Sequence, residues 1–135
     1  MLYGIGTDIA ATDRLERLFA RHGEAALKKI LSPAERAEFP RQNLAVQGRF
    51  LARHWAAKEA FAKALGTGFC FPVTPINIAV AHNAEGRPFF VLAPPLAERL
   101  QKLELTAHLS ISDEKAYALA FAVLEYLADD VAHGD

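Results

Sequence analysis

The stretch RFLARHWAAKEAFAKALGTG, residues 49–68, constrains the fold more than any other part of the chain. It holds six alanines and no proline, and so predicts one long helix. Gly66 and Gly68 supply its stop, because glycine readily takes the left-handed backbone that helix ends often need. One side carries Phe50, Leu51, Trp55, Phe61 and Leu65, which anchor it to a core. The other sets Glu59 and Lys63 beside a row of small residues, Ala52, Ala56 and Ala60. Solvated helix faces usually carry long polar side chains, whereas an alanine row lets another backbone, a subunit or a ligand come close. Lys58 and His54 project toward the bulky side, where an unpaired ammonium would be costly. Lys58 must therefore either reach the edge along its aliphatic stem or meet an anion there.

The rest of the chain is read around this helix. LYGIGTDI predicts an opening strand ending near Asp8, and Asp13 with Glu16 three residues on predicts a capped helix through RLERLFARH. GEAALKKIL gives a second helix. SPAERAEF gives a third, with Ser32 as cap, Pro33 in the first turn, Glu35 closing the capping box and Pro40 as terminator. After residue 68 the period changes from helical to alternating. INIAVA and PFFVL flank a hairpin loop with Asn83 and Gly86, LAERLQKL is a short helix after Pro94 and Pro95, and TAHLSIS and AYALAFAVLEY are two strands. The last strand places Tyr117, Leu119, Phe121 and Val123 on one face and alanines on the other. Helices segregated from antiparallel strands make the class α+β. A chain of 135 residues with net charge −1 suits one domain, 1–135, with residues 127–135 expected as a frayed tail.

Apolar residues at 52% and charged residues at 23% exclude wholesale disorder and give no sign of a general nucleic-acid binder. Cys70 is the only cysteine, so no intrachain disulfide or cysteine-based zinc cluster is expected, which fits a reducing cytoplasm. The start lacks a basic region followed by an apolar one, and no run approaches the roughly 18 apolar residues of a membrane span. A cytoplasmic protein without membrane partners is expected.

GIGTDIA is neither a dinucleotide fingerprint nor a P-loop: the third position of G-x-G-x-x-G falls on Ile9, and no P-loop lysine follows. Gly4 and Gly6 are expected instead to let the strand pass close to a neighbour. Asp8, at the carboxyl end of an apolar strand beside Thr7, either caps the next helix or has a partner. Glu59 either forms an ordinary i,i+4 pair with Lys63 or serves a site. His108 and Ser110 share one strand face, and Arg14, Arg17 and Arg21 one helix face; by default the first is a structural histidine and the second a solvated stripe. Two separated carboxylates with lysine nearby suit magnesium, which takes one or two protein carboxylates and completes its shell with water and substrate phosphate oxygens. Asp8, Glu59 and Lys63 supply that set.

GIGTDIAATDRL, RFLARHWAAKEAFAKALGTG and HLSISDEKAYALAFAV resemble, in order and spacing, the bacterial holo-[acyl-carrier-protein] synthases, which are short 4'-phosphopantetheinyl transferases. The resemblance covers nearly the whole chain. It implies transfer of the 4'-phosphopantetheine arm of coenzyme A to a serine of apo acyl carrier protein, releasing adenosine 3',5'-bisphosphate in support of fatty acid biosynthesis. It further implies Mg2+ on Asp8 and Glu59; the charge of the pyrophosphate then assigns Lys63 to a phosphate and Lys58 to the same anionic site, with Asp8, Glu59 and Lys63 as the catalytic set. Gly66, Thr67, His108 and Ser110 would belong to the cofactor pocket, and Arg14, Arg17 and Arg21 would face an acidic helix of the carrier. The resemblance also implies a homotrimer whose sites combine Asp8 and the long helix of one subunit with the His108 strand of the next. The chain departs from the family pattern at Arg53 and His54, where lysine then arginine is common, at Ala10 and Ala11, and in FCFPVTP. Two rival readings are a magnesium-dependent pyrophosphate hydrolase, which needs no carrier, and a noncatalytic carrier-binding module.

Overall fold

A computed structural model describes residues 1–128. The chain opens with strand β1 (Leu2–Ala11), then helices α1 (Thr12–His22), α2 (Glu24–Ile30), α3 (Pro33–Glu38) and the long α4 (Leu44–Leu65). A hairpin of β2 (Ile78–His82) and β3 (Pro88–Leu92) follows, then α5 (Pro94–Leu103), β4 (Leu105–Asp113) and β5 (Tyr117–Tyr126). Every ladder is antiparallel, with β1-β5-β4 in one sheet and β2-β3 in a second. This is the expected α+β class. No helix among the described residues is long and apolar enough to cross a membrane. The tail expected from residue 127 falls largely outside the described residues.

Three boundaries differ from expectation. β1 continues past Asp8 to Ala11, because β5 provides ladder partners as far as the Ala11–Tyr117 pair. The chain therefore enters α1 directly from the strand: Ala11 holds the N-cap position without a side-chain cap, and Asp13 lies in the first turn, where a carboxylate still favours the helix dipole. α4 starts at Leu44, well before Arg49, since the Asn43 side chain accepts a hydrogen bond from Val46 N and caps it there. The other end of α4 is as expected, with Gly66 at φ 87°. The Ser32–Glu35 capping box of α3 is formed as well.

The alanine row on α4 is filled by the chain's own sheet, not by a ligand or a neighbouring subunit. Ala52, Ala56 and Ala60 are wholly buried, as are Ala120 and Ala122 of β5. The reason lies in the first strand: a Cβ on Gly4 would stand 1.9 Å from the carbonyl oxygen of Ala64, and one on Gly6 2.0 Å from that of Ala60. Glycine faces alanine so that the backbones of β1 and α4 can meet, and the two sequence features are halves of one contact. With Phe61 and Leu65 buried on the other side, α4 is enclosed over its second half. From residue 55 to its end, only Trp55, Glu59 and Lys63 are not buried, and they form a stripe at four-residue spacing.

Because the small residues of the sheet face α4, its large apolar residues point the other way. Ile5, Ile9, Tyr117, Leu119 and Phe121 are each between 43% and 61% exposed.

Candidate active site

β1 brings Asp8 to the stripe on α4. Asp8 pairs in register with the buried Ala120, so its side chain lies on the helix-facing side of the sheet. There Lys63 Nζ donates to Asp8 Oδ1 and to the carbonyl of Thr7, both at 3.1 Å. Glu59 lies one turn earlier on α4. Its carboxyl is pushed above the usual range, first by partial burial and then by the negative charge of Asp8, while Lys63 and Arg14 act in the opposite direction. Asp8, Glu59, Lys63 and Arg14 therefore share one local field. The strand hydrogen bonds and the caps of α4 fix the two carboxylates, whose mutual repulsion a cation between them would relieve.

Among the described residues no group of three or more His, Cys, Asp or Glu could hold a metal ion. A closed protein cage is thus absent there, and a two-carboxylate set is what magnesium uses when water and substrate oxygens complete its shell. The donors present fit that ion. Gly66 and Thr67 follow directly at the carboxyl end of α4, exposed, with Thr67 Oγ1 donating to the Gly68 carbonyl at 2.8 Å.

His108 and Ser110 are not part of this cluster within one chain. They pair with Val123 and Phe121 on the outer face of the sheet, opposite to the side that carries Asp8. A shallow hollow there of about 330 Å³ is lined by His108, Ser110, Ser112, Leu119, Phe121 and Val123. His108 is 2.7 Å from Glu125 Oε1. Arg14, Arg17 and Arg21 do lie together, with Leu18 and His22, around a hollow of about 340 Å³ on α1. Arg17 also pairs with Asp13 at 3.3 Å.

Lys58 is the clear correction. The sequence reading assigned it to the phosphate site, but it is completely buried, and its ammonium donates to Glu35 Oε1 at 2.7 Å, to the Pro75 carbonyl at 2.8 Å and to the Ile78 carbonyl. An ammonium has three protons, and all three are used. The anion it needed is Glu35, which is itself 1% exposed. Glu35 also accepts from Ser32 N and Val80 N at 2.8 Å each and meets His54 Nδ1 at 2.7 Å. Burial would raise the Glu35 carboxyl, yet the His54 hydrogen bond and the Lys58 charge outweigh it and hold the pKa at about 2. Burial, followed by the nearby positive charges, holds His54 below its usual range in spite of Glu35. The sequence marked Glu35 only as the end of a capping box. The demand of Lys58 for an anion was the one available signal of its second job.

The profile of the 4'-phosphopantetheinyl transferase superfamily matches residues 4–122. The holo-[acyl-carrier-protein] synthase of Dechloromonas aromatica is 52% identical over 126 residues, covering 93% of this chain and 99% of that protein. Among solved structures, the synthase from Neisseria meningitidis aligns with a TM-score of 0.86 at 43% identity, over 93% of this chain and 99% of that one. The Bacillus anthracis synthase in complex with CoA (3',5'-ADP) aligns at 0.79 with 32% identity, over 94% and 99%. The match takes in β1, α4 and most of β5, the elements that carry Asp8, Glu59 and Lys63, and the chain belongs to the 4'-phosphopantetheinyl transferase superfamily.

Proposed function

We propose that this protein is a holo-[acyl-carrier-protein] synthase: it transfers the 4'-phosphopantetheine group of coenzyme A to a serine hydroxyl of apo acyl carrier protein and releases adenosine 3',5'-bisphosphate. The observation that carries the reading is the convergence of Asp8, Glu59 and Lys63 at the edge of β1 and α4 in a chain of this superfamily. The serine oxygen forms a bond to the phosphorus of the pantetheine phosphate as the bond to the bridging oxygen of the pyrophosphate breaks. Catalysis of phosphoryl transfer is mostly placement and charge compensation. Asp8 and Glu59 would hold Mg2+, which when bound neutralises charge on the pyrophosphate. Lys63, half-exposed and at the open end of the stripe, adds a cation for the leaving phosphate. The serine proton would pass to Glu59, directly or through water.

Arg14, Arg17 and Arg21 would meet the acidic carrier, where complementary charge speeds encounter and sets orientation. The exposed apolar face of the sheet supports a homotrimer, since so much contiguous apolar surface marks an interface. In such an assembly His108 and Ser110 of one subunit would complete the cofactor pocket beside Asp8, Glu59, Gly66 and Thr67 of another, which a single chain does not bring together. We place the activity in one domain over residues 1–135, in the cytoplasm, in support of fatty acid biosynthesis.

The test follows adenosine 3',5'-bisphosphate by chromatography after incubating the protein with coenzyme A and Mg2+, with and without apo carrier. Release that requires the carrier is the expected result. Equal release without it would make the protein a pyrophosphate hydrolase, and no release in either case would leave only a binding module.

A further inference from the structure

The buried Glu35–Lys58 pair has no part in the chemistry just described, although Lys58 is the residue next to Glu59. Buried ion pairs add little stability compared with apolar residues of the same shape, because both charges lose their hydration. Its geometry shows what else it does. Glu35 is on α3, Lys58 on α4, and the two carbonyls that Lys58 binds, those of Pro75 and Ile78, close the segment that returns from the end of α4 to β2. Val80 N, on β2, donates to the other Glu35 oxygen.

That return segment begins at Gly66 and Thr67 and runs back along α4, so that Phe69 lies against Trp55 with ring centroids 5.6 Å apart. Its other polar bonds are mostly internal: Val73 N to the Cys70 carbonyl, Asn77 N to the Thr74 carbonyl, and Asn77 Nδ2 to the Pro72 carbonyl. Among the described residues, the hydrogen bonds that cross from α4 to Phe69–Ile78 are both made by Lys58. One ammonium therefore ties the segment to the helix, one residue away from the glutamate of the site.

We propose that Lys58 is a positioning residue: anchored by Glu35, it fixes the return segment against α4 and thereby holds the stretch that follows the Gly66–Thr67 turn in place beside the cofactor. This rests on the transferase reading. The residue touches no substrate; it acts through the backbone of the segment it holds.

The experiment compares wild type, Lys58→Met and the double variant Glu35→Gln/Lys58→Met by hydrogen exchange and by transfer kinetics. Lys58→Met strands a buried carboxylate and lowers the melting temperature; the double variant removes both charges and recovers to within about 5 °C of wild type. In that stable double variant the amides of residues 67–78 are expected to exchange at least about tenfold faster while those of β1 and β5 stay protected. kcat is expected to fall at least about tenfold, with little change in the KM for carrier. Unchanged exchange with lost activity would overturn the proposal, since Lys58 would then act by a route other than the segment it holds. Faster exchange with full activity would overturn it too, because the tie would then be structural only. A wild-type protein that transfers nothing would refute the transferase reading, and with it any role in that reaction, while exchange would still report whether Lys58 holds the segment.

Discussion

Asp8 and Glu59 illustrate how little of a site needs to be built when the backbone is already fixed. Asp8 is held by the β1–β5 ladder and Glu59 by a helix capped at both ends, so neither depends on a mobile loop. Glu35 and His54 lead to a prediction about pH. Both bind fewer protons in the folded protein than in the unfolded chain: the folded pKa of Glu35 lies near 2 against an ordinary 4.5, and that of His54 lies below 6.5. Stability therefore rises with pH wherever either group titrates. It should be complete near neutrality, decline as pH falls below about 6.5 through His54, and decline again from about 4.5 toward 2 through Glu35. Urea midpoints measured from pH 7 to 3 should fall in that order, and His54→Gln should flatten the part above pH 5. A midpoint constant over the whole range would contradict the assignment.

The contact between β1 and α4 is the element on which the proposed site depends. Gly6→Ala would drive a methyl group into the carbonyl of Ala60, where helix backbone cannot yield as a flexible side chain would. Overpacking of this kind costs about 1–3 kcal/mol and sometimes more. Chemical denaturation should show a loss at the upper end of that range, and a variant as stable as wild type would mean that strand and helix are not in contact. Local features were legible here: the Ser32–Glu35 box, the Gly66 stop and the hairpin at Asn83 and Gly86 each depend on a few neighbouring residues. What was not legible depends on distant ones. Nothing near Asp8 says that β5 will extend the ladder to Ala11. The alanine row announced a close approach but not that Gly4 and Gly6 make it. Lys58 announced a missing anion, while Glu35, Pro75 and Ile78 are distant in sequence and are brought to it only by folding.

At the scale of the whole molecule, the sheet has a small-residue face against α4 and a large apolar face turned outward. In the trimeric reading, that outer face and the separation of His108 from Asp8 are two signs of one assembly. Phe121→Glu should therefore reduce the mass measured by light scattering from three chains to one, with transfer lost alongside. Coexpression offers a second check. Asp8→Asn and His108→Ala should each be impaired alone, yet together they should recover activity, because mixed trimers contain some sites with both residues intact. A wild-type protein that scatters as a monomer, or a pair that does not recover, would contradict a site shared between subunits.

The central claim is tested most directly by the intact mass of apo acyl carrier protein after incubation with coenzyme A, Mg2+ and enzyme. Wild type should add one phosphopantetheine group per carrier. Asp8→Asn and Glu59→Gln, folded as judged by circular dichroism, should slow that addition at least about 100-fold. A carrier of unchanged mass with wild type would contradict the activity, and full turnover in both variants would contradict the site.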